Sequence, residues 1–219
     1  MGSTLSWRRP RSKGIAGDRG RKLDRLAGLV SEIRTCTVCA QSLPHGPRPV
    51  LRVGTGRAPI LLVGQAPGMK VHASGIPWDD ASGERLRNWL GVDKTRFYDE
   101  DQFAIMPMGF CYPGRKGGGD APPRPECAPL WHDRVLAHLP RRRLTLLIGA
   151  YAQARYLPGT RGQSLTGTVA AWRTHAAKAF MPLVHPSPRN IRWFKANPWF
   201  EAEIVPELRS QVKAALAGG

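Results

Sequence analysis

The chain has 219 residues, 42% of them hydrophobic, which is enough for one domain with a real core and too little for several. Its 33 Lys and Arg outweigh 16 Asp and Glu, and the formal net charge of +17 predicts attraction to a polyanion, most simply nucleic acid, or else a basic surface that serves solubility alone. No apolar run approaches the roughly 20 residues that span a bilayer, no secretory signal is recognisable, and the chain reads as a cytoplasmic monomer without membrane contact.

Residues 1–20 are rich in Arg, Lys, Gly and Ser and lack apolar periodicity, so they read as a disordered basic tail ahead of a folded domain over 21–219. Leu23, Leu26, Val30 and Ile33 recur at helical spacing and predict a helix that delivers the chain to Cys36. Cys36 and Cys39 form a close pair; Cys111 and Cys127 form a wide pair with fifteen residues between. Two thiolates two residues apart can grip a metal from one tight turn, and a distant pair closes the site. Spacing alone leaves an iron–sulfur cluster, structural zinc or four ordinary thiols open.

Pro59 to Gly64 is a short continuous apolar run, the mark of a strand buried on both faces. Similar runs follow at Phe103–Met108, Leu144–Ile148 and Phe180–Val184, with helical patterns around Gly83–Leu90, Ala128–Leu139 and Ala150–Leu157 between them. This alternation predicts an α/β fold: a three-layer α/β/α sandwich on a central, mainly parallel four-stranded sheet. Near the C-terminus, Asn197-Pro198 opens an apolar helical stripe through Trp199, Ile204, Leu208, Val212 and Leu216, with Pro206 a break or kink. Ligands of open parallel sheets bind outside the carboxyl ends of the strands. Gly64-Gln65-Ala66-Pro67-Gly68 after the first strand and His185-Pro186-Ser187-Pro188-Arg189-Asn190 after the last should therefore face one crevice.

These motifs together resemble the uracil-DNA glycosylase superfamily, most closely its iron–sulfur (family 4-like) branch. That branch has a Gly-Glu-Ala-Pro-Gly loop, a His-Pro-Ser loop and the same cysteine spacing. Gly75-Ile76-Pro77-Trp78 resembles its Gly-Arg-Pro-Phe segment, and Leu147-Ile148-Gly149-Ala150 its strand-to-helix turn before the last strand. The string from His185 to Asn190 is also similar to the loop of the single-strand-selective uracil glycosylases. The resemblance implies hydrolysis of the N-glycosidic bond of a flipped uracil or related damaged base in DNA. It implies a 4Fe–4S cluster rather than zinc on Cys36, Cys39, Cys111 and Cys127, in a structural role. A weakly active or non-catalytic binder of damaged or single-stranded DNA is the alternative on the same fold.

Cleavage leaves negative charge on the departing base, so the site needs a donor for that charge and a directed water. The resemblance puts His185 beside the developing anion. Gln65 and Ala66 would present backbone N–H groups to base and water, with Pro67 and Gly68 shaping the turn. Trp78, in place of the family's Phe, would floor the base pocket. Ser187 and Arg189, and Arg115 and Lys116 of the loop between the wide cysteine pair, suit phosphate contact. Trp193 and Phe194 fit either base stacking or the core. Three positions depart from the pattern: Ala66 stands where better-known glycosylases carry Asp, Gln65 where the iron–sulfur branch carries an acid, and Pro107 where that branch carries a base-reading Asn. Asp79, Asp80 and His72 are the candidates to orient water in their place; the competing reading has one of the two acids cap the next helix and His72 lie on the surface.

Overall fold

The computed structural model describes residues 25–160 and 162–218. The expected basic tail, and Leu23 of the first helical stripe, lie outside that range. Strands β1 (Ile60–Val63), β2 (Phe103–Ile105), β5 (Leu144–Ile148) and β6 (Phe180–Leu183) form one sheet in the order β2-β1-β5-β6. Every pairing in it is parallel. A separate two-stranded hairpin, β3 (Arg115–Lys116) and β4 (Gly119–Asp120), interrupts the chain between β2 and β5.

The period-2 alternation of the strands splits the core into two apolar layers. Ile60 and Leu62 of β1 face one layer, Leu61 and Val63 the other, and all four are fully buried. On the first side lie α3 (Ala81–Leu90), α4 (Lys94–Phe97), α7 (Leu165–Ala170), α8 (Trp172–Ala176), α9 (Ile191–Ala196) and α10 (Val205–Ala217). On the second lie α1 (residues 25–34), α5 (Cys127–Leu136) and α6 (Ala150–Tyr156). Leu26 and Ile33 lie on the buried face of α1, as their spacing predicts, with Val30 only partly buried against it and Leu29, outside the expected stripe, fully in it. The result is the expected three-layer sandwich. The remaining short helix, α2 (Met69–Ser74), stands directly after the loop that follows β1.

Pro206, expected as a break or kink, stands where the helical path changes type: a π-helical turn over Phe200–Ile204 passes into α10 with Pro206 in its first turn. One local reading changes. The stretch around Arg115, read as a flexible loop, is a hairpin whose turn residues Gly117 and Gly118 both have positive φ, 58° and 80°. Among the described residues no helix is long and apolar enough to cross a membrane.

Candidate active site

The chain leaves β1 toward β2 on one side and returns to place β5 on the other, so the carboxyl end of β1 is a switch point of the sheet. A crevice of about 1130 Å³, its open mouth included, lies there. The loop Gly64–Gly68, Pro107 beyond β2, Trp78 and Asp80, and His185 with Ser187 and Arg189 beyond β6 all line it. Gln65, Trp78 and His185 therefore share one cavity, as the sequence predicts.

Trp78 is the most constrained of these. Its indole stacks on the His185 imidazole, with centroids 5.4 Å apart and planes 30° from parallel. A Cβ on Gly64 would come within 3.0 Å of the indole, so the first loop lies flat beneath it. The Trp78 backbone sits at φ 60°, a left-handed conformation that costs a bulky residue about 1–3 kcal/mol. Its carbonyl accepts from Arg87 Nη1 at 3.2 Å, and the Tyr98 hydroxyl donates to the Pro77 carbonyl at 2.8 Å. Gly83 allows the approach: a Cβ there would lie 1.7 Å from the Trp78 carbonyl oxygen.

His185 follows β6 and is held by its backbone, whose carbonyl accepts from Asn190 Nδ2 at 2.8 Å. Burial holds its pKa below the usual imidazole value, against the opposing charges of Asp80 and Asp120, which favours the neutral ring. Ser187 caps the turn that follows, its Oγ accepting from Arg189 N at 3.2 Å, so the hydroxyl is partly committed to its own loop. Gln65 donates from Nε2 to the Ala121 carbonyl at 3.4 Å, tying the first loop to the hairpin.

Of the candidate water-orienting groups, Asp79 is paired with Lys94 at 3.0 Å. Asp80 lines the crevice while its Oδ1 caps α3 by accepting from Gly83 N at 2.9 Å. His72 is not among the lining residues; its ring packs with His45 and Tyr112, at centroid distances of 5.9 Å from each. Trp193 and Phe194 belong to an aromatic cluster with Trp199 and Phe200 against the core, and Trp193 Nε1 donates to Thr166 at 2.8 Å. Arg115 and Lys116 are exposed on the hairpin, and Arg189 Nη1 reaches within 3.8 Å of the point where a Cβ on Gly119 would project.

Pro107 contributes to the crevice wall, and its carbonyl accepts from His132 Nε2 at 3.1 Å. A carbonyl cannot donate, so Nε2 carries the proton, and Nδ1 accepts from the Tyr156 hydroxyl at 2.8 Å. Burial depresses His132 to about 4 and raises Tyr156 above the ordinary phenol range. The strand end at Pro107 is thus fixed from behind by a neutral imidazole.

The sequence reading missed Asp120, which the hairpin carries into the crevice. The signal was present, because Gly117-Gly118 is a two-residue hairpin turn that sets Asp120 opposite Arg115.

The four cysteines line a second cavity, of about 430 Å³ with its opening, between the segment that follows α1, the stretch Gly109–Cys111 and the start of α5. Phe110 N lies 3.3 Å from Cys127 Sγ, oriented to donate. Burial pushes Cys111 up to about 11 and Cys127 to about 12, so these thiols keep their protons unless a cation displaces them. Among the described residues no three His, Cys, Asp or Glu side chains converge on a single-ion site. The four cysteines do line the same cavity.

The family model of the uracil DNA glycosylase superfamily matches residues 51–209. The chain belongs to that superfamily of DNA-acting glycosylases. Cys36 and Cys39 precede the matched segment, while the crevice residues all fall in or at its edge.

Proposed function

We infer that the protein is a DNA glycosylase that hydrolyses the N-glycosidic bond of a flipped uracil or related damaged base, in base excision repair. The observation that carries this reading is the meeting of Gln65, Trp78 and His185 in one crevice at the carboxyl end of β1, in a member of this superfamily. Extruding the nucleotide costs a few kcal/mol of stacking, roughly, which cations along the rim repay through phosphate contact. Arg189, Arg115 and Lys116 are those cations, with Ser187 beside them.

Once the base is seated, the neutral His185 donates a hydrogen bond to the oxygen on which charge develops. Such a donor, fixed before the reaction, stabilises the transition state without reorganising. The backbone of Gln65 and Ala66 borders the same space, and Gly68 keeps the turn open. Trp78 supplies the apolar face on which a base rests and excludes water there. At Pro107 the wall offers ring carbons in place of an amide, so discrimination by a paired hydrogen bond at that point is lost. Pro107 and Ala66 together are what favours the alternative, a binder of damaged or single-stranded DNA with little turnover.

The same reading assigns a 4Fe–4S cluster to Cys36, Cys39, Cys111 and Cys127. The lining of one cavity by all four cysteines and the amide aimed at Cys127 support a group held there. Bound there, it would tie the segment after α1 to the base of the hairpin loop and to α5, a structural role.

The test is abasic-site formation by purified protein on single- and double-stranded DNA carrying uracil and a panel of deaminated or oxidised bases. Base-specific strand breaks after alkali support the glycosylase; tight binding without release of any base supports the binder.

A further inference from the structure

We propose that Asp120, delivered by the β3–β4 hairpin, is the carboxylate that holds the attacking water and takes its proton. This rests on the glycosylase reading above and supplies the acid that the loop after β1 lacks. Asp120 lines the same crevice as His185, and its Oδ2 stands 3.6 Å from the point where a Cβ on Gly68 would project. It thus overhangs the end of the loop that in this chain offers Gln65 and Ala66 in place of an acid.

Among the described residues its carboxylate makes no hydrogen bond or ion pair, whereas Asp79 is engaged by Lys94 and Asp80 by the amide of Gly83. Asp120 is exposed at the crevice, so its carboxylate is open to solvent and can hold a water there. Its charge also acts on His185, consistent with an acid within electrostatic reach of the reacting centre.

The hairpin joins this acid to DNA engagement. Arg115 stands opposite Asp120 in the register, and the second strand passes beside Arg189 at Gly119. Phosphates held by Arg115, Lys116 and Arg189 would settle the hairpin and bring Asp120 over the sugar. In the reaction the water oxygen bonds to the anomeric carbon as the carbon–nitrogen bond breaks, and the bond's electron pair leaves on the base. The water's proton passes to Asp120 and then to solvent; the departed base takes a proton from solvent.

The experiment compares single-turnover cleavage and DNA affinity for wild type, Asp120→Asn, Asp120→Glu and His185→Ala, with Asp133→Asn as a carboxylate control, on the best substrate of the base panel. Expected is a loss of about 100-fold or more in rate for Asp120→Asn, with DNA affinity unchanged or higher, and partial recovery by Asp120→Glu. The control keeps the wild-type rate. If Asp120→Asn cleaves within about threefold of wild type while His185→Ala is inactive, the assignment is overturned and the glycosylase reading stands. Loss of thermal stability and DNA affinity in both Asp120 variants, in step with the rate, assigns the residue a structural role and also overturns it. A wild-type protein that releases no base from any substrate removes both readings.

Discussion

The indole of Trp78 lies against the imidazole of His185, 5.4 Å between centroids, and the two form one continuous wall of the crevice. The contact depends on a backbone conformation that tryptophan seldom adopts, φ 60°, held by Arg87, by the Tyr98 bond to the preceding residue and by the absence of a side chain at Gly83. Local strain of this kind persists only where surrounding structure over-determines it, and functional sites are where it collects. Fixing Trp78 also limits where His185 can point.

Gly83→Ala places a methyl group 1.7 Å from the Trp78 carbonyl oxygen, a clash with backbone that no rotamer relieves. The variant should lose about 3 kcal/mol of stability, from overpacking. Denaturant unfolding would show this as a lower midpoint at unchanged slope, and base release should fall more than the folded fraction does.

His132 predicts a pH dependence of stability. Its folded pKa, about 4, lies below the unfolded value of 6.5, so between those values the unfolded chain binds the extra proton and the native chain does not. Stability is intact above pH 6.5 and is lost as pH falls toward 4, by up to about 3 kcal/mol from this group. Chemical denaturation across that window should show the decline, and His132→Phe should flatten this part of it while lowering stability at pH 7 through the orphaned Pro107 carbonyl and Tyr156 hydroxyl.

The hairpin cations should act on DNA affinity without regard to base. Lys116→Ala and Arg115→Ala should each reduce the slope of log affinity against log salt by about 1. Fluorescence anisotropy over a salt series measures it, and an unchanged slope would take the hairpin away from the DNA.

Iron analysis tests the second cavity. Wild type purified without air should carry about four iron atoms per chain and absorb broadly in the visible, and Cys127→Ser should lose both together with thermal stability. One equivalent of zinc and a colourless protein would contradict the cluster.

Much of the fold was legible because its strands are buried on both faces. The run Ile60-Leu61-Leu62-Val63 can hardly be anything but an interior strand, and the loop after it faces the ligand crevice by topology alone. The loop bearing His185 followed from the same rule. Asp120 was not recovered, because reading Gly117-Gly118-Gly119 as flexible hid a two-residue turn within it. Asp79 and Lys94 are fifteen residues apart in sequence, and only the packing of α4 beside α3 shows that this carboxylate is engaged. The Pro107–His132 bond joins residues twenty-five apart across a buried layer, which no local pattern encodes.

The central claim is that the ring of His185 stabilises the charge of a departing base. Its most direct test is single-turnover release of uracil from DNA at saturating protein, comparing wild type with His185→Ala. The account predicts a rate at least about 100-fold lower for the variant, at similar DNA affinity. Equal rates would contradict it.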